Sequence, residues 1–171
     1  MNLVLIGYRG SGKTTVGRIL AERRDLGFID TDELITHLAG QDIAAVFAAE
    51  GEAGFRRREA DAIKAATSKG NRVVSVGGGA VESDANCKRL RRWGTVVWLE
   101  APPETLWKRI AEDPASSANR PDLAGGGQDE VREILERRAP LYASTAHFVV
   151  RTEGRSSQQV ADDVESWLST V

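Results

Sequence analysis

Cysteine is almost missing from this chain: Cys87 is the sole example in 171 residues, which excludes an internal disulfide and a cysteine-built metal centre. Histidine is nearly as scarce, and His37 and His147 are too few to hold zinc by themselves. No apolar run approaches the ~20 residues that a membrane-spanning helix needs. A surplus of one charge is lacking too. The formal net charge is −2, so no basic field draws in nucleic acid or an anionic membrane, and neither is an expected partner. Any anion bound here must be gripped by local arginines. No repeat or low-complexity block is present, and 41% apolar with 28% charged residues is an ordinary globular balance. A chain of this length buries roughly 70% of its unfolded surface, enough for one domain spanning 1–171. With no charged leader ahead of the first apolar run, the expected compartment is a reducing cytoplasm.

Short apolar runs alternate with helical patterns. The runs are Leu3–Ile6, Phe28–Ile29, Val73–Val76, Val96–Leu99 and Phe148–Val150. Between them, helices are predicted near 14–24, 32–39, 52–68, 84–92, 103–112, 128–143 and 157–169. Most runs are continuous rather than alternating, as in strands covered on both faces. The fold class is therefore α/β, three layers around a central five-stranded parallel sheet. In the last helix Val160, Val164, Trp167 and Leu168 form one stripe, Ser156 or Ser157 can cap its start, and Trp167 reads as a core plug. Residues 113–127, rich in Gly, Pro and Ser, have little to bury and read as a lid.

Directly after the first run comes Gly7-Tyr8-Arg9-Gly10-Ser11-Gly12-Lys13-Thr14, which fits the phosphate-loop spacing G-x-x-x-x-G-K-[ST]. Its glycines let successive N–H groups turn inward, and the helix that follows offers the positive end of its dipole. Lys13 would reach the β- and γ-phosphates, and the Thr14 hydroxyl would hold Mg²⁺. A strand before and a helix after are both where this motif requires them. The chain is thus expected to bind a nucleoside triphosphate through Gly10, Ser11, Gly12, Lys13, Thr14 and Thr15.

The second run ends Asp30-Thr31-Asp32, beyond the carboxyl end of its strand, where ligands sit in open α/β sheets. One carboxylate can serve the Mg²⁺ shell and the other can meet a substrate hydroxyl. Asp32 taken alone could equally cap the next helix. Gly77-Gly78-Gly79 directly follows a buried strand and suggests close approach of a ligand to the backbone. Arginines cluster at Arg56-Arg57-Arg58 and at Arg137-Arg138, suited to planar recognition of carboxylate or phosphate. Residues in sequence point about 100° apart on a helix, so at most one or two of Arg56, Arg57 and Arg58 can face a site.

The set GYRGSGKT, FIDTD, Phe55-Arg56, GGGA, Arg120-Pro121 and RAPLY, in this order, resembles the shikimate kinase family over essentially the whole chain. The resemblance implies a phosphate-loop kinase fold with a lid at about 112–127 and a small helical substrate-binding segment at about 32–60. It implies that Asp30 assists the metal through water and that Asp32 binds ring hydroxyls and orients the attacking one. Arg56 and Arg138 would clamp the shikimate carboxylate, with Gly77, Gly78 and Gly79 lining the pocket. Arg120 would reach the transferring phosphate, and Arg109 would stack near the adenine. Phe47, Phe55 and Glu59 would shape the substrate segment.

The implied reaction moves a phosphoryl group from ATP, with Mg²⁺, to the 3-hydroxyl of shikimate. The products are shikimate 3-phosphate and ADP, on the route to chorismate and the aromatic amino acids. A monomer is expected. Three features depart from the family pattern: Asp122 stands inside the lid motif, the segment between Arg109 and Arg120 is slightly long, and Arg151 and Ser157 fall where the adenine-side loop carries other residues. A gluconate or nucleoside monophosphate kinase, and a non-catalytic nucleotide-binding relative, are the competing readings.

Overall fold

The computed structural model describes residues 1–114 and 126–171. Five parallel strands form one sheet: β1 (Asn2–Ile6), β2 (Gly27–Asp30), β3 (Arg72–Ser75), β4 (Thr95–Glu100) and β5 (Phe148–Arg151), in the order β2-β3-β1-β4-β5. Seven described helices surround it: α1 (Lys13–Arg23), α2 (Thr31–Ala39), α3 (Ile43–Ala66), α4 (Asp84–Trp93), α5 (Pro103–Glu112), α6 (Gly127–Thr145) and α7 (Ser157–Leu168).

Side chains alternate across each strand, so a continuous apolar run serves two cores. Leu3 and Leu5 of β1 face the layer of α1 and α7, against Val16, Leu20, Val160 and Val164. Val4 and Ile6 face the opposite layer, against Ile63 of α3, Leu90 of α4 and Tyr142 of α6. β4 divides likewise, with Val97 and Leu99 on one face and Val96 and Trp98 on the other. Trp167 packs on the first core and stacks on Phe148 at 4.6 Å, a plug as its sequence pattern suggests.

The chain leaves β1 toward α1 on one face and leaves β3 toward α4 on the other. Two neighbouring strands whose connections part to opposite faces open a crevice at their carboxyl ends. The register levels the ends at that point: Leu5 pairs with Ser75, and Ser75 with Asp30. Gly7, Asp30 and Gly77 therefore emerge side by side.

Two elements differ from the sequence reading. The helix expected at 52–68 begins at Ile43, and Gly51, at φ 68° and ψ −174°, kinks it near the middle. The last strand, expected at 148–150, runs on to Arg151, while α7 starts at Ser157 as expected. Ser156 rather than Ser157 caps α7, in a reciprocal pairing with Gln159. α2 and α3 also share a small cluster of their own, Ile35, Ile43, Val46, Phe55 and Ala62, with Phe47 stacked on Phe55 at 4.6 Å.

Candidate functional site

A cavity of about 900 Å³ opens at the crevice and is lined by Gly10, Gly12, Lys13, Thr14, Thr15, Asp30, Asp32, Gly77, Gly78 and Arg109. Gly10 and Gly12 hold φ of 82° and 92°, a left-handed backbone that favours glycine. Gly12 precedes α1 without a side chain to cap it, so the positive end of α1 faces the cavity. Lys13 Nζ donates to the carbonyls of Gly7 at 2.8 Å and Tyr8 at 3.0 Å, which pins the ammonium inside the loop. Ser11 is buried, and its Oγ has no hydrogen-bond partner among the described residues.

Asp30 is the helix cap that Asp32 alone could have been. Its Oδ1 accepts from the backbone N–H groups of Asp32 at 2.9 Å and Glu33 at 3.4 Å. Its Oδ2 accepts from the Thr14 hydroxyl at 2.7 Å, tying β2 to the phosphate loop. That hydroxyl and carboxylate form an all-oxygen pair on the cavity wall, the donor chemistry a hard divalent cation takes. Asp32, spared the capping role, stands in the first turn of α2 and borders the cavity.

The three glycines after β3 separate the side chains around them. A Cβ on Gly77 would stand 2.6 Å from Glu59 Oε1 and 3.0 Å from Asp32 Oδ1. On Gly78 it would stand 3.5 Å from Arg138 Nη1, and on Gly79 it would collide with the Arg56 guanidinium. Two carboxylates and two guanidiniums thus converge on a single stretch of bare backbone. Arg56, Gly79 and Arg138 do not line the main cavity; they join it through this stretch. Tyr142 donates to the Gly78 carbonyl at 2.6 Å, and its ring stacks on Trp98 at 5.5 Å. Burial pushes the Tyr142 phenol far above its ordinary pKa, so it remains a donor.

Of the three clustered arginines on α3, Arg56 alone turns to the glycines. Arg57 is exposed, and Arg58 grips Glu50 through three hydrogen bonds. Arg138 is buried while Arg137 is exposed. Burial disfavours the Arg56 charge, but Glu59 at 2.8 Å, Glu82 and Glu52 outweigh that and hold its pKa above the ordinary value. Arg109 bridges the phosphate loop and the chain after β5, donating to Gly10 O at 3.3 Å, Thr152 Oγ1 at 2.9 Å and Thr152 O at 2.9 Å.

Arg120 and Asp122 lie outside the described residues, as does most of the segment read as a lid. The adenine-side departure shifts in meaning. Arg151 is an exposed strand end paired with Glu100 at 3.5 Å, whereas buried Thr152 is what reaches Arg109. Sequence reasoning missed Thr152, whose single hydroxyl carries no motif. It also missed Glu82, whose contacts with Arg56, Arg137 and Arg138 join segments far apart in the chain.

A family model described as shikimate kinase matches residues 9–169. A shikimate kinase of Symbiobacterium thermophilum is 46% identical over 165 residues, covering 96% of this chain and 94% of that protein. One of Moorella thermoacetica is 40% identical, covering 99% of this chain and 98% of its own. Among solved structures, shikimate kinase from Acinetobacter baumannii in complex with shikimate superposes with a TM-score of 0.93 at 35% identity, covering 99% of this chain and 93% of that one. Likeness of this depth over nearly the whole length, on top of the phosphate loop and the arginine-flanked glycines, makes the chain a member of the shikimate kinase family.

Proposed function

We propose that this chain transfers the γ-phosphoryl group of ATP to the 3-hydroxyl of shikimate. The observation that carries the reading is the convergence of Asp32, Arg56 and Arg138 on Gly77–Gly79, beside the phosphate loop. A small ring bearing one carboxylate and several hydroxyls needs such a set: two guanidiniums for the acid, a carboxylate for the alcohol, and backbone without side chains between them. The solved relative from Acinetobacter baumannii, similar over nearly the full chain, is in complex with shikimate.

Phosphoryl transfer passes through a loose transition state, so catalysis is mainly positioning and charge stabilisation. Asp32 would hold the acceptor hydroxyl in line and take its proton. Lys13 would exchange the Gly7 and Tyr8 carbonyls for β- and γ-phosphate oxygens, beside the open N–H groups of α1. Arg120, the arginine implied for the lid, would cover the transferring group. Thr14 and Asp30, the latter through water, would hold Mg²⁺. Bound there, Mg²⁺ would neutralise charge on the β- and γ-phosphate oxygens. Arg109, anchored by Thr152, would flank the adenine.

Among the described residues the large exposed apolar side chains are Met1, Leu38, Val149 and Val171, scattered along the chain, which supports a monomer. No described helix is long and apolar enough to cross a membrane, and with a single cysteine this agrees with a cytoplasmic enzyme.

The test is ADP release from Mg·ATP with shikimate, quinate, gluconate, AMP and CMP as acceptors, plus a blank. Turnover with shikimate above every other acceptor is the expected outcome. Turnover with gluconate or a nucleotide, or nucleotide binding without turnover, would overturn the reading.

A further inference from the structure

The two arginines that border the glycine stretch already share an anion. Glu82 sits in the short 3₁₀ turn Ala80–Glu82 that follows Gly79. Its Oε2 accepts from Arg56 Nη2 at 3.3 Å and from Arg138 Nη2 at 3.2 Å, while its Oε1 lies 3.3 Å from Arg137. One carboxylate from within the chain therefore spans the same guanidinium pair that the acceptor's carboxylate must use.

The engagement is loose. Arg56 and Arg138 share a single oxygen, so neither makes the two parallel bonds of a full guanidinium–carboxylate pair. Arg138 Nε is buried and has no hydrogen-bond partner among the described residues, which leaves a donor in reserve. The surroundings are balanced in charge: Arg56, Arg137 and Arg138 face the carboxylates Glu52, Glu59 and Glu82. An arriving carboxylate thus meets no positive surplus. It must displace Glu82 or lie beside it, and like charges in contact repel.

We propose that Glu82 is a tethered competitor for the carboxylate subsite, holding Arg56 and Arg138 until the acceptor's own carboxylate takes its place. This rests on the shikimate reading above and adds a determinant of acceptor affinity and acid selectivity. Burial pushes the Glu82 carboxyl up, but Arg138, Arg56 and Arg137 pull it below the ordinary range, so the competitor stays ionised at neutral pH. Glu82 is also partly solvent-exposed, with its side chain 26% accessible, so it can swing outward without burying a charge.

Steady-state kinetics of wild type, Glu82→Gln and Glu82→Ala with shikimate and Mg·ATP test this. Gln keeps the shape and one acceptor for the arginines, so it preserves the fold even if Ala does not; thermal melts verify both. Glu82→Gln should lower KM for shikimate about three- to tenfold at low salt, with the gain shrinking as ionic strength rises. KM for ATP should stay put, and kcat should move less than KM for shikimate. With the methyl ester of shikimate, which carries no charge to compete, the gain should vanish. Were Glu82 instead a support that orders the arginines, KM for shikimate would rise in the variant, and that result overturns the proposal. An unchanged KM overturns it too, while leaving the kinase reading intact. Absence of wild-type turnover with shikimate would bring down the kinase reading and this inference together.

Discussion

Asp32 and Arg56 stand within one glycine run of each other but are suited to different tasks, and their variants should separate cleanly. Asp32→Asn keeps the shape and removes the proposed base, so kcat should fall about 10²–10⁴-fold with little change in KM for ATP. Arg56→Ala should raise KM for shikimate about tenfold or more and leave KM for ATP alone, since Arg56 touches Glu59, Glu82 and Gly79 rather than the phosphate loop. Steady-state kinetics on both substrates decides, and an equal loss of ATP affinity in Arg56→Ala would reassign that arginine. At the same scale, His147 Nδ1 accepts the Val96 N–H at 3.0 Å. Burial first, and Arg91 second, hold its pKa below the ordinary 6.5. The unfolded chain then binds a proton more readily, so this contribution to stability is present above about pH 6.5 and lost as pH falls through the folded value. Melting temperature should decline slightly from about pH 7 to about pH 5, and His147→Gln should remove that share of the decline.

Among the elements, the strands and most helices were legible because continuous apolar runs and helical stripes are local patterns. The phosphate loop was equally plain, its residues being contiguous. The first half of α3 was not. Ala44, Ala45, Ala48 and Ala49 favour a helix, but Ile43 and Val46 make too short a stripe, and Gly51 reads as a stop. The structure uses Gly51 as a kink, at a backbone geometry that is essentially glycine's own. A Cβ there would meet nothing within 4 Å, so Gly51→Ala carries backbone strain alone. A loss of about 1–3 kcal/mol is expected in chemical denaturation. Which arginines of each cluster turn inward was also beyond the sequence without the family resemblance. That choice depends on where α3 and α6 lie against Gly77–Gly79, a relation between segments far apart in the chain. Thr152 and Glu82 went unseen for the same reason.

For the whole molecule, the order β2-β3-β1-β4-β5 is what turns scattered motifs into one place. With β1 central, the phosphate loop lies between the glycines after β3 on one side and Arg109 after β4 on the other. Ligands that bind only this assembled arrangement should stabilise it as a unit. At a concentration of about 100 Kd a single ligand adds about 2.7 kcal/mol, which for a chain of this size is a rise of roughly 5–10 °C in Tm. Mg·ADP and shikimate together should exceed either alone in a melting experiment; no shift with shikimate would count against the shared site.

The stack of Trp98 on Tyr142, whose hydroxyl holds the Gly78 carbonyl, gives the molecule an optical consequence. An indole's emission follows the ring packed against it, and here that ring is fastened to the stretch of backbone on which an acceptor would rest. Shikimate titrated into the protein without nucleotide should change the fluorescence. Trp98→Phe should abolish the response, and Trp167→Phe, on the opposite face of the sheet, should retain it. Such a response would report acceptor occupancy before any phosphate has moved.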